Sequence, residues 1–104
     1  MIFQINTDKN LTVSAAYAEK IEGLIESEIG RFDEYLTRVE VYLSDQNADK
    51  ENGADKRCRL EARVKGKQPI AVSEDGSTYD LAISGAASKL KTTLETLAGK
   101  ARAY

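Results

Sequence analysis

A chain of 104 residues, 41% hydrophobic and 31% charged, suits one compact domain that buries its core without metals or disulfides. It has no histidine, which removes serine–histidine and cysteine–histidine nucleophiles and the imidazole zinc sites. The formal charge is −2, so contact with a polyanion must come from cations segregated on one surface, against the average field.

Ile2 to Asn6 is predicted as a short strand with Phe3 and Ile5 on its core face. It turns polar too soon for a signal peptide or a membrane span, so a cytoplasmic protein with no membrane partner is expected. After the polar turn Asn6–Asn10, Ser14 is placed to cap a helix. Tyr17, Ile21, Leu24, Ile25, Ile29 and Phe32 form its apolar stripe. The rest of this helix is acidic: Glu19, Glu22, Glu26, Glu28, Asp33 and Glu34 outweigh Lys20 and Arg31. Such a face is either simply solvated or fitted to a basic protein surface.

Arg38–Ser44 alternates with period two, which puts Val39, Val41 and Leu43 inward. The run Asp45–Asp55 is nearly devoid of apolar residues and is predicted as a long hairpin loop. Its carboxylates lack the D-x-D-x-D-G spacing of a calcium loop, so no metal is expected.

The chain centres on Lys56–Lys67. Cys58, Leu60, Ala62 and Val64 share one parity, and Arg57, Arg59, Glu61, Arg63 and Lys65 share the other. An extended strand sets same-face side chains about 7 Å apart, comparable to the step between phosphates of a nucleic-acid strand. The row therefore reads either as a solvated outer face or as an RNA-backbone contact. Cys58, the one cysteine, falls on the apolar side and is expected to be buried and unreactive.

The strand turns at Gly66-Lys67 into Ile70–Ser73, which lies at an edge or begins after Pro69, because proline cannot donate to a ladder. Glu74–Ser77 is the predicted turn, with Ser77 or Asp75 capping a second helix. Tyr79, Ile83, Ala86, Ala87, Leu90, Leu94, Leu97 and Ala101 form that helix's stripe. Lys89, Lys91, Lys100 and Arg102 supply cations in its second half, where they also complement the helix dipole.

The order β-α-β-β-β-α, with one apolar face per element, predicts a single-domain (1–104) two-layer α+β sandwich. Its four-stranded sheet carries both helices on one face. The first two strands are expected to be parallel and the hairpins antiparallel. Carboxylates abound, but none is placed with a partner for acid–base work, so neither an enzyme nor a cofactor is expected.

Particular residues then resemble a known family. Arg31–Leu43 is similar to the helix-end-to-second-strand segment of the ribosome hibernation-promoting factor and ribosome-associated inhibitor family, also called sigma-54 modulation or S30EA. Thr78–Ser84 followed by Lys89-Leu90 is similar to its D-x-Y-x-A-I-D…K-L pattern, with Asp80 in place of the tyrosine and Ser84 in place of the second acid. Ile5–Asp8 and Asp55–Arg63 resemble a short branch of that family. The resemblance implies a shape like that of double-stranded RNA-binding domains. It also implies docking as a monomer on the small ribosomal subunit and its rRNA, where mRNA and the A- and P-site tRNAs would lie. Initiation would be blocked in stress or stationary phase, with no small-molecule substrate. A chain ending at Tyr104 is expected to lack the C-terminal domain with which long members pair ribosomes.

On this reading the RNA contacts are Arg57, Arg59, Arg63, Lys65 and Lys67, assisted by Arg38, Lys89 and Lys91. Tyr42 stays open between stacking on a base and an ordinary cross-strand contact to an arginine. The alternative is a protein-interaction module that uses the acidic helix face and makes no RNA contact.

Overall fold

Two strands of alternating polarity set the frame. β2 (Leu36–Asp45) and β3 (Lys56–Val64) pair antiparallel, with Val41 opposite Leu60 and Leu43 opposite Cys58. The computed structural model describes residues 1–8, 11–45 and 55–102, with the backbone alone for 100–102. β1 (Ile2–Thr7) runs parallel to β2, and β4 (Ile70–Gly76) runs antiparallel to β3, in the sheet order β1-β2-β3-β4. The helices are α1 (Ala15–Ile29) and α2 (Tyr79–Arg102), so the element order is the predicted one. Most of the acidic run Asp45–Asp55, and the side chains of Lys100, Ala101 and Arg102, lie outside the described residues.

The inward parity of the sheet is dry. Val39, Val41, Leu43, Cys58, Leu60 and Ala62 are buried in one cluster with Ile21, Ile25 and Ile29 of α1 and Ile83, Ala86, Leu90 and Leu94 of α2. Both helices thus cover this face and leave the other open. Truncating a side chain such as Leu60 or Ile25 to alanine costs about 2–5 kcal/mol, a large part of a small domain's total. Burial pushes the Cys58 thiol up to about 12, so it packs as a small apolar residue.

Ser14 caps α1 as expected, its hydroxyl accepting from the Tyr17 amide at 3.1 Å. The stripe read as one helix to Phe32 is in fact broken. The α-helix ends at Ile29, and a 3-10 segment, Gly30–Tyr35, brings Phe32 into the core. Tyr35 ends this segment and remains 53% exposed.

Two other boundaries differ from expectation. β4 does not end at Ser73: Glu74, Asp75 and Gly76 continue the ladder opposite Cys58, Arg57 and Lys56. An ion pair from Arg57 Nε to Asp75 at 2.8 Å holds that extension, a cross-strand partnership invisible to local turn propensity. The cap of α2 is neither Ser77 nor Asp75. It is Thr78, whose hydroxyl accepts from the Leu81 amide at 3.1 Å and whose carbonyl accepts from Ala82. Gly76 permits this approach, because a Cβ there would stand 2.9 Å from the Ala82 nitrogen.

Candidate nucleic-acid interface

The register turns the open face into four cross-strand rows. Ile2, Arg38 and Arg63 form the first; Gln4, Glu40, Glu61 and Ala71 the second. Asn6, Tyr42, Arg59 and Ser73 form the third; Ser44, Arg57 and Asp75 belong to the fourth. Arg57, Arg59 and Arg63 therefore share one face, as the alternation requires.

They do not share one electrostatic state. At the Arg57 end, carboxylates engage the cations. Arg57 is tied to Asp75, which raises its proton affinity further. Lys56, on the helix side of the same strand, bridges Asp45 and Asp55 at 3.1 Å each. Those two acids, Asp55 first, push its pKa up. In the middle, Arg38 Nε donates to Glu40 at 3.1 Å and Arg59 lies 3.8 Å from Glu61. Tyr42 donates its phenol to Glu40 at 2.6 Å, which is the first reason the Glu40 carboxyl titrates below its ordinary range, with Arg38 and Arg63 adding to it. The same bond raises the Tyr42 phenol. Tyr42 thus stands opposite Arg59 with its hydroxyl committed to a carboxylate.

At the far end, Arg63, Lys65 and Lys67 are exposed and make no ion pair among the described residues. The strand stops at Val64, so both lysines sit on a tight turn and not on the sheet. The Lys67 amide donates to the Val64 carbonyl at 3.1 Å, and Gly66 supplies the positive φ of 70°. The Lys65 amide donates to the Tyr35 carbonyl at 2.9 Å, which fastens the turn to the start of β2.

Lys89 and Lys91 belong to the helical layer and do not join this row. Lys89 Nζ donates to the Ser73 carbonyl at 2.9 Å and lies 3.6 Å from Glu74, along the β4 edge. Lys91 lies 3.8 Å from Glu28 and links α2 to α1. Of the eight cations singled out in the sequence, the structure brings Arg38, Arg63, Lys65 and Lys67 toward one end, while Arg59 stays in the middle beside Glu61.

A cleft of about 710 Å³ opens at that end, lined by Tyr35, Phe32, Val64, Lys65, Lys67 and Leu97 among others. On its wall, Arg31 stacks on Phe32 at 4.7 Å from the ring centroid and pairs with Glu95. Sequence reading had not singled out Tyr35. The available signal was an aromatic off the helical stripe, at a junction between a helix and a strand. Among the described residues no cluster of acids and thiols is arranged to hold a metal, and no helix is long and apolar enough to cross a membrane.

These features define a class: a two-layer α+β sandwich with an open, cation-bearing sheet face and a cleft at its basic end. Solved structures with the same fold include the N-terminal domain of Thermus thermophilus Protein Y, with a TM-score of 0.70 and 21% identity over 93% of this chain and 99% of that one. Another is a ribosomal subunit interface protein from Coxiella burnetii, with a TM-score of 0.71 and 16% identity over 95% and 99%. No curated protein shares significant sequence similarity with the chain. Residues 5–102 match the family described as Sigma 54 modulation protein / S30EA ribosomal protein, and the chain belongs to that family, one of ribosome-associated factors and not of enzymes.

Proposed function

We propose that this protein is a cytoplasmic translation inhibitor that binds the small ribosomal subunit as a monomer. It would occupy the channel of mRNA and tRNA and block initiation in stress or stationary phase. Family membership and the name of the Coxiella neighbour, a subunit interface protein, support a ribosomal role. The observation that carries the RNA contact is the group Arg63, Lys65 and Lys67. These exposed cations have no ion-pair partner among the described residues, in a chain whose net charge is negative. Retaining unneutralised cations in one place gives a local attraction to phosphate that the overall charge opposes. The mechanism is occlusion: the protein sits where mRNA and tRNA must pass and performs no chemistry.

Co-sedimentation with small subunits and whole ribosomes, over roughly 50–200 mM salt, tests this. Saturable binding that weakens steeply with salt and competes with initiator tRNA is the expected result. No binding at the lowest salt would overturn it.

One observation favours a second reading. Glu19, Glu22 and Glu26 on α1 make no ion pair among the described residues, and this face repels phosphate. A basic protein partner there would use the fold without RNA. Changing Arg59 and Arg63 to glutamate separates the two, because it abolishes binding in the first case and spares it in the second.

A further inference from the structure

We infer that the cleft beside the Val64–Lys67 turn receives an unpaired nucleotide, its base against Tyr35 and its phosphate on Lys65 and Lys67. This deepens the ribosomal reading and rests on it for the source of the RNA. That reading needs only phosphate contacts from exposed cations. A base-receiving cleft adds a preference for single-stranded over paired RNA.

Three features point to this occupant. The cleft volume, about 710 Å³, lies within the range of sites that enclose small ligands. Phe32, Val64 and Leu97 give it an apolar lining, which Tyr35, 53% exposed, also joins. A half-exposed ring beside an apolar lining is the stacking surface that unpaired bases use. The rim carries both signs, Arg31, Lys65 and Lys67 against Glu34 and Glu95, and its small cationic excess selects the partner. Lys65 and Lys67 line the cleft without an ion-pair partner among the described residues, and Arg63 precedes them on the strand. A backbone lying along Arg38 and Arg63, which pair across β2 and β3 on the open face, is thereby led to the cleft mouth. The wall cation Arg31 is already engaged by Glu95 and Phe32, so the lysines are left for the phosphate.

The site is held in place by backbone bonds. The Lys65 amide is bound to the Tyr35 carbonyl at 2.9 Å, and the Lys67 amide to the Val64 carbonyl at 3.1 Å. The backbone that carries the ring and the lysines is therefore set without a ligand, which lowers the ordering cost of binding.

The test uses a labelled single-stranded RNA of about ten nucleotides, a size typical of single-strand sites, and a duplex of the same sequence, read by fluorescence anisotropy. Tyr35→Ala is expected to weaken single-strand binding by about five- to a hundredfold, the usual loss of one base–aromatic stack. Tyr35→Phe keeps the stack and the affinity, and duplex binding is unchanged in both. Lys65→Gln and Lys67→Gln each reduce the slope of log affinity against log salt by about 0.7. Equal single-strand binding by wild type and Tyr35→Ala, with both folded by circular dichroism, overturns the inference. So does a shift of cleft amide resonances by an acidic peptide but not by the RNA.

Ribosome co-sedimentation of the same variants separates the two levels. Ribosome binding without a Tyr35 effect on RNA removes the cleft and keeps the inhibitor reading. A Tyr35 effect without ribosome binding does the reverse.

Discussion

Glu40 and Glu61 stand directly opposite each other on the open face, two carboxylates in register at the middle of β2 and β3. Like charges so placed ordinarily destabilise a sheet. Here Arg38 and Tyr42 hold Glu40, and Arg59 lies beside Glu61. The pair divides the basic row into a half toward Arg57 tied up in ion pairs and an end, from Arg63 to Lys67, that makes none among the described residues. Glu61→Gln relieves the repulsion and releases Arg59. Urea unfolding is expected to show a gain of ~0.2–0.5 kcal/mol. The salt slope of ribosome binding should steepen by about 0.7–0.9, one further phosphate contact.

Glu40 has a different role, because it accepts the Tyr42 phenol. Glu40→Gln is expected to bring the Tyr42 titration down toward its ordinary value of about 10, measured from the ring resonances by NMR. An unchanged titration would mean that the phenol is not held by this carboxylate.

The Val64–Lys67 turn depends on Gly66, whose φ of 70° strains any residue with a Cβ, although the space around it is open. Gly66→Ala therefore costs conformational energy alone, about 1–2 kcal/mol. Thermal unfolding measures the loss. Because the turn carries Lys65 and Lys67, ribosome affinity should fall with it, whereas Gly23→Ala, in an open helical position, leaves binding intact.

Asp80 ties the helices together. Lys20 Nζ donates to one of its oxygens at 2.6 Å and Tyr17 to the other at 2.8 Å, and these bonds, Lys20 first, depress its carboxyl. Burial and the same carboxylate push the Tyr17 phenol well above its usual range. A depressed folded value means that ionised Asp80 favours the folded state above its unfolded value of about 3.9. That contribution is lost as pH falls through the folded value. At neutral pH, Asp80→Asn should cost about 0.5–1 kcal/mol, a modest figure because water screens the half-exposed pair. Denaturation curves taken toward acid should show wild type and variant converging.

Much of this was legible in the chain. Period-two alternation placed Val39, Val41, Leu60 and Ala62 inward, and the helical stripes placed Ile21, Ile25, Ile83 and Leu90 against them. The free and neutralised cations were not distinguishable, since Arg57 and Arg63 occupy equivalent positions in the alternation. What separates them is Asp75, eighteen residues on, in a segment that local propensity assigns to a turn. Lys89 and Lys91 read as candidate contacts for the same reason: their partners Ser73 and Glu28 are set by packing. Tyr35 became visible only where the 3-10 segment ends beside the turn, its carbonyl bound to the Lys65 amide.

The most direct test of the account compares two triple variants in salt-dependent co-sedimentation with small subunits. Arg63, Lys65 and Lys67 are changed to glutamine in one, and Arg57, Lys89 and Lys91 in the other. The first is expected to lose affinity and to flatten its salt slope by about 0.7–0.9 per residue. The second should keep the wild-type slope and lose only stability. Equal losses in the two, or a loss confined to the second, would contradict the claim that the unpaired end of the sheet is the ribosome-binding surface.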